Sequence, residues 1–223
     1  MSAGLFFRAM LKFLIGAAVI GLLIFLPAGT IYFWKAWLLM GILFVPMFFA
    51  GIFMMFKNPE LLKKRLNANE KEPEQRLVIL LSGVMFVLGF VSAGLNFRFH
   101  WIELPDWVSL AAAGVFVLSY LLYAEVLREN TYLSRTVEVQ ENQKVIDTGL
   151  YGIVRHPMYG VTVFLFLSMP LVLGSIISFA FFLMYPFIIA KRIRNEEKVL
   201  EEELEGYAEY KKKVKHKVIP FLW

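Results

Sequence analysis

Five stretches of this sequence contain no Asp, Glu, Lys or Arg: residues 13–34, 36–56, 77–97, 107–124 and 157–190, which are 22, 21, 21, 18 and 34 residues long. An apolar helix of about 20 residues crosses the roughly 30 Å of hydrocarbon in a bilayer. In lipid every backbone polar group needs a partner, and a helix supplies one within its own segment. The charge pattern therefore predicts an all-α, polytopic helical membrane protein. Composition agrees, with 59% hydrophobic residues, 18% charged residues and a mean hydropathy of +0.63. Soluble chains are usually about 45–50% apolar and about 25% charged.

The fifth run is too long for one ordinary span. As a single helix its 34 residues would measure roughly 51 Å at 1.5 Å per residue. Pro170 and Gly174 lie near its middle, where Pro removes a helical hydrogen bond and Gly permits a turn. This predicts a helical hairpin with a short first arm over about 158–169. The second arm, from about 175, runs past Ala190 into water and carries Arg192, Arg194, Glu196 and Glu197, with Pro186 placed to kink it. The expected fold is four spans in an N-terminal region, 1–127, followed by the hairpin, a helix and a tail in a C-terminal region, 128–223. The first run follows Arg8 and Lys12, but it exceeds the 7–15 residues of a signal-peptide core and no small-residue cleavage site follows it. It reads as a retained span.

Lys and Arg alternate between rich and poor segments: 2 before the first run, then 1, 6, 1 and 4 between runs, and 9 after the last. Under the positive-inside rule both termini, the 57–76 loop, the 125–156 segment and the tail are expected on the cytoplasmic side. Residues 98–106 and the Lys35 connection are expected on the other. The membrane would be the inner membrane of a bacterium or the endoplasmic reticulum of a eukaryote. The net charge of +5 and pI near 9.3 are assigned to contact with anionic headgroups rather than nucleic acid. The chain has no Cys, which excludes thiolate chemistry and disulfides. Its three His residues, His100, His156 and His216, lack metal-ligand spacing, so no metal site is expected.

The densest polar sequence, Asp147 to Tyr159, directly precedes the hairpin. Pro157 suits a first helical turn, and the free N–H groups of such a turn can receive an anionic group. Arg155, His156 and Tyr159 would surround that opening. The same three residues also suit an interfacial belt, with Arg155 on headgroup phosphates. Further on, Arg192 and Glu196 are four apart and share a helix face. They could hold two ligands of opposite charge, or form an ion pair on a solvated surface. The Glu201–Glu205 stretch is read as a solvated face. The residues alone do not choose between these roles for Glu196 and Glu197.

Gly149, Tyr151, the run Arg155, His156, Pro157 and Tyr159, an apolar hairpin, Arg192, the pair Glu196 and Glu197 with Leu200, then Gly206, Tyr210, Ile219, Pro220 and Trp223 together resemble the isoprenylcysteine carboxyl methyltransferase family. Phospholipid N-methyltransferases look similar over the same region, roughly residues 130–223. The resemblance implies an enzyme whose C-terminal region uses S-adenosylmethionine from the cytoplasm and a lipid-like or isoprenylated substrate from the bilayer, with carboxyl methylation as the expected reaction. It further implies a cofactor pocket of Gln140, Gln143, Lys144, Val145, Ile146, Tyr151, His156, Pro157, Met158, Tyr159 and Glu196, with Gln140 matched across a gap. Arg192 falls where the family orients the substrate carboxylate. Were the acceptor an amine, His156 or Glu197 would be the candidate proton acceptor. The sequence departs from the family pattern at Leu150 and at Gly160, which stands one place early.

Two other classes share features with the chain. Membrane reductases of the sterol reductase type, which use NADPH, resemble the Arg, His, Pro and Tyr run. They usually carry Asn between Pro and Tyr and an acidic residue soon after, where this chain has Met158, Gly160 and Val161. Transporters place ionisable groups near the bilayer midplane, whereas all five runs here lack them.

Overall fold

The computed structural model describes residues 3–67, 73–133, 136–137, 139–221 and 223. Part of the 57–76 loop, residues 68–72, and Arg135 among the basic residues of the 125–156 segment lie outside them. The described residues are helical throughout their regular parts, with one isolated bridge between Glu103 and Ser175. Five helices are long and apolar enough to cross a membrane, and the chain is an integral, multi-pass membrane protein.

The charge-free runs become α1 (Ala3–Ala28), α2 (Trp34–Lys57), α4 (Pro73–Phe99) and α5 (Asp106–Glu129). The first helix is shifted toward the N terminus relative to its run. It includes Arg8 and Lys12 and stops at Ala28, where the Gly29 N–H bonds back to the Phe25 carbonyl at 3.0 Å. Between α2 and α4 lies a short helix that the charge pattern did not anticipate, α3 (Pro59–Leu66). Asn58 Oδ1 accepts the Leu61 N–H at 3.1 Å and Pro59 opens the first turn, a capped start that needs no apolar run.

The hairpin consists of α6 (Pro157–Val172), then α7 (Ile176–Phe182) and α8 (Tyr185–Glu203) as the second arm. The first arm runs three residues past its expected end, through Pro170. The turn falls at Gly174, whose φ of 71° is the left-handed conformation that glycine takes without a Cβ penalty. Ser175 Oγ caps α7 by accepting the Ser178 N–H at 3.2 Å. Pro186 opens α8 rather than kinking it from within, because its missing N–H and fixed φ suit a first turn.

The turn is fastened to its surroundings. Gly174 O accepts the Leu104 N–H at 3.2 Å, and Lys35 Nζ reaches Leu104 O at 3.0 Å and Asp106 Oδ1 at 2.8 Å. The Lys35 connection, residues 98–106 and the hairpin turn therefore share one end of the bundle.

The core lies between α4 and the hairpin. Phe86 sits edge-on to Phe166 at 5.0 Å and to Phe182 at 5.4 Å, and Phe90 meets Phe182 at 5.7 Å. Such pairs contribute about 0.5–1.5 kcal/mol each beyond burial. In a bilayer, where lipid is as apolar as Leu, packing of this kind drives helix association. The outer surface, including Leu22, Leu26, Phe49, Phe53, Leu118 and Leu121, stays exposed and apolar, as contact with lipid requires. Beyond the end of α8, Leu204 joins α9 (Tyr207–Lys213) and Val214 in a separate small core under the 139–145 segment.

Candidate active site

The site is built where α6 begins. Just before Pro157 the chain is extended and pairs with the C-terminal tail: Arg155 N–H donates to His216 O at 3.0 Å and His156 N–H to Lys217 O at 2.8 Å. This tail also explains the early Gly160. A Cβ there would stand 3.0 Å from Val218 O, so the close approach of the tail needs glycine at that position.

Glu197 of α8 ties these strands of chain together. Its carboxylate accepts Arg155 Nε at 2.8 Å, lies 3.2 Å from His156 Nε2 and pairs with Lys217 Nζ at 2.9 Å. Arg155 Nη1 also donates to the Val214 and Lys215 carbonyls at 2.6 and 2.9 Å. The side chains of Arg155 and Glu197 are only 4% and 5% exposed. Charges buried this deeply persist because each is paired and hydrogen-bonded.

Glu196, the next residue, points to a different place. Arg192 Nε donates to the Tyr159 hydroxyl at 2.8 Å, and that hydroxyl donates in turn to the Glu196 carboxylate. Arg192 and Glu196, one helical turn apart, are thus joined through a phenol that rises from α6.

Arg155, His156, Tyr159, Arg192 and Glu196 line a pocket that is partly open to solvent. Of the residues expected from the sequence, Gln143, Lys144, Val145, Ile146, Tyr151, His156, Met158, Tyr159, Arg192 and Glu196 line it together. Pro157 and Gln140 do not. Pro157 is buried as the first residue of α6. Gln140 braces the wall from behind: its side chain donates to Tyr132 O and accepts from Lys64 Nζ at 2.5 Å, and its N–H donates to Gln143 Oε1 at 2.9 Å.

The wall also includes residues that the sequence reading did not assign to it, among them Asn130, Tyr132, Leu133, Thr136, Val137, Val199, Leu204 and Tyr207. Leu200 belongs to α8, but Leu204 lies past its end and Tyr207 opens α9, so no single helical periodicity marks them, and the 130–137 segment has none either.

Burial pushes the phenols of Tyr151, Tyr207 and Tyr210 well above their ordinary range, so each keeps its proton; for Tyr207 the nearby Glu197 and Glu196 add to the effect. Tyr210 donates to Tyr151 O at 2.7 Å. At the surface, the hydrogen bond from Lys213 at 2.7 Å holds the Asp147 carboxyl below its usual value.

Residues 110–202 match the isoprenylcysteine carboxyl methyltransferase (ICMT) family. No curated protein matches in sequence. Among solved structures, that of the eukaryotic intramembrane Ras methyltransferase ICMT, determined without a monobody, has a TM-score of 0.55 and 19% sequence identity, covering 92% of this chain and 75% of that one. At this identity the likeness is one of fold. The matched segment runs from within α5 nearly to the end of α8 and so contains Tyr159, Arg192, Glu196 and Glu197. Residues 110–202 are thus similar in sequence to the isoprenylcysteine carboxyl methyltransferase family, and most of the chain shares the fold of one solved methyltransferase structure.

Proposed function

We propose that the chain is an S-adenosylmethionine-dependent methyltransferase that methylates a carboxylate on a lipid-like or isoprenylated substrate, with its pocket and both termini on the cytoplasmic side. The observation that carries this reading is the row Arg192, Tyr159 and Glu196, a cation and an anion held on one phenol in the pocket wall.

The residues fit the proposed cofactor. Glu196 offers a carboxylate to a cationic group, and the aromatic faces of Tyr151 and Tyr159 suit a positive charge. Gln143 and Lys144 supply polar contacts at the outer wall. When bound, S-adenosylmethionine supplies an electrophilic methyl group carried on a sulfonium.

Arg192 orients the acceptor. A guanidinium grips a carboxylate at two points, and at pH 7 a carboxylate is ionised and needs no general base. Tyr159 sets the height of that guanidinium relative to Glu196. His156 and Glu197, the candidate proton acceptors for an amine substrate, are engaged with each other and with Arg155 and Lys217. Their engagement supports a carboxylate acceptor over an amine.

The test is calorimetry on protein in nanodiscs, with S-adenosylmethionine, S-adenosylhomocysteine and NADPH in separate titrations. The expected result is binding of the first two and no response to the third. Binding of NADPH alone would assign the pocket to a reductase instead. The acceptor itself is found by comparing lipids from cells with and without the protein after feeding methyl-labelled methionine.

A further inference from the structure

One polar atom in the pocket wall is left unsatisfied by the protein. Tyr207 lines the pocket and is 4% exposed, and its hydroxyl has no hydrogen-bond partner among the described residues. Its neighbour Tyr210 differs in this respect, since its hydroxyl donates to Tyr151 O. The ring of Tyr207 has an evident structural use, packing with Leu204, Tyr210 and Val214. Phenylalanine would pack there equally well. The hydroxyl adds only the unfavourable burial of an unpaired polar group, which a structural role does not explain.

The two carboxylates nearest in effect already have donors. Glu196 accepts from Tyr159, and Glu197 from Arg155, His156 and Lys217. The Tyr207 phenol keeps its proton and can also accept, so a ligand group that brings hydrogens would satisfy it.

On the methyltransferase reading above, we propose that the Tyr207 hydroxyl is a binding contact for the cofactor, completed only when an ammonium or ribose hydroxyl of S-adenosylmethionine reaches it. The hydroxyl is then a recognition group placed outside the segment that carries the family match, which ends at residue 202.

The experiment compares wild-type protein and Tyr207→Phe in nanodiscs, with S-adenosylhomocysteine as the probe and two readouts, affinity by calorimetry and melting temperature without ligand. Loss of one hydrogen bond should weaken binding about five- to tenfold. The ligand-free melting temperature should stay level or rise, because the variant removes an unsatisfied buried group. A variant that binds as tightly as wild type overturns the proposal while leaving the methyltransferase reading intact. A fall of several degrees in the ligand-free melting temperature also overturns it, by revealing a structural partner for the hydroxyl. Wild-type protein that ignores S-adenosylhomocysteine overturns both readings. A parallel titration with 5′-deoxy-5′-methylthioadenosine, which keeps the ribose and lacks the amino acid, separates the two sources: weakened binding to both probes assigns the contact to the ribose, and weakened binding to S-adenosylhomocysteine alone assigns it to the ammonium.

Discussion

Replacing Glu197 with Ala removes the group on which Arg155, His156 and Lys217 converge. The largest loss falls on Arg155, whose side chain is 4% exposed and would keep only the Val214 and Lys215 carbonyls. Removing one partner of a buried ion pair typically costs about 3–5 kcal/mol, because the remaining charge is left buried and unpaired. Lys217, whose side chain is 25% exposed, can turn outward and adds at most about 1 kcal/mol. For a chain of this size each kcal/mol shifts the melting temperature by about 2–4 °C, so Glu197→Ala should melt about 6–20 °C below wild type. The assay is intrinsic tryptophan fluorescence during heating in nanodiscs. Asp147→Asn is the internal control, because it breaks the Lys213 pair whose side chains are 43% and 67% exposed, and such a surface change should stay within about 0.5 kcal/mol. Should Glu197→Ala melt within about 2 °C of wild type, the conclusion that this knot holds the tail against the start of α6 would be wrong.

Arg192→Lys and Arg192→Ala should retain S-adenosylmethionine binding and lose most methyl transfer, Ala more severely, because Lys keeps the charge without the planar grip; affinity and turnover on the same preparations check this, and wild-type turnover in the Ala variant would reduce Arg192 to a headgroup anchor. Glu196→Gln should weaken cofactor binding measurably by calorimetry, whereas Glu202→Gln, on the exposed side of α8, should leave it unchanged. Gly160→Ala should lower stability by about 1–3 kcal/mol, the usual penalty for overpacking, as its new methyl presses on Val218 O; an unchanged melting curve would mean that the tail yields freely.

The spans were legible because a membrane imposes one rule on every residue within it, and the charge-free runs obey it. Helix α3 was missed for the complementary reason: Lys63, Lys64 and Arg65 give it no apolar run, and only the Asn58–Pro59 start announces it. The wall formed by residues 143–159, with Arg192 and Glu196, was legible through a family resemblance, since nothing in its spacing alone distinguishes a pocket from an interfacial belt. Glu196 and Glu197 show the limit most clearly. They are adjacent and chemically identical, yet about 100° of helical rotation sends one into the pocket and the other into a buried knot. That division depends on the tail, whose pairing with Arg155 and His156 spans 61 residues of sequence. Neither partner carries a local signal for it.

The length of α6 relates this geometry to the bilayer. Its 16 residues rise roughly 24 Å, less than the roughly 30 Å of hydrocarbon. Its far end is fixed at the opposite rim, where Gly174 O holds the Leu104 N–H and Lys35 holds Leu104 and Asp106. A helix too short to span and anchored at one rim must begin below the other. Tyr159, in the first turn of α6, is therefore recessed, and the Arg192 guanidinium meets its phenol there. The tail and Glu197 close that recess from the water side. On the proposed reading, a polar group on a lipid chain would meet Arg192 without first being lifted clear of the membrane, while the pocket lined by Gln143, Lys144 and Tyr207 is partly open to solvent and would admit a water-soluble cofactor.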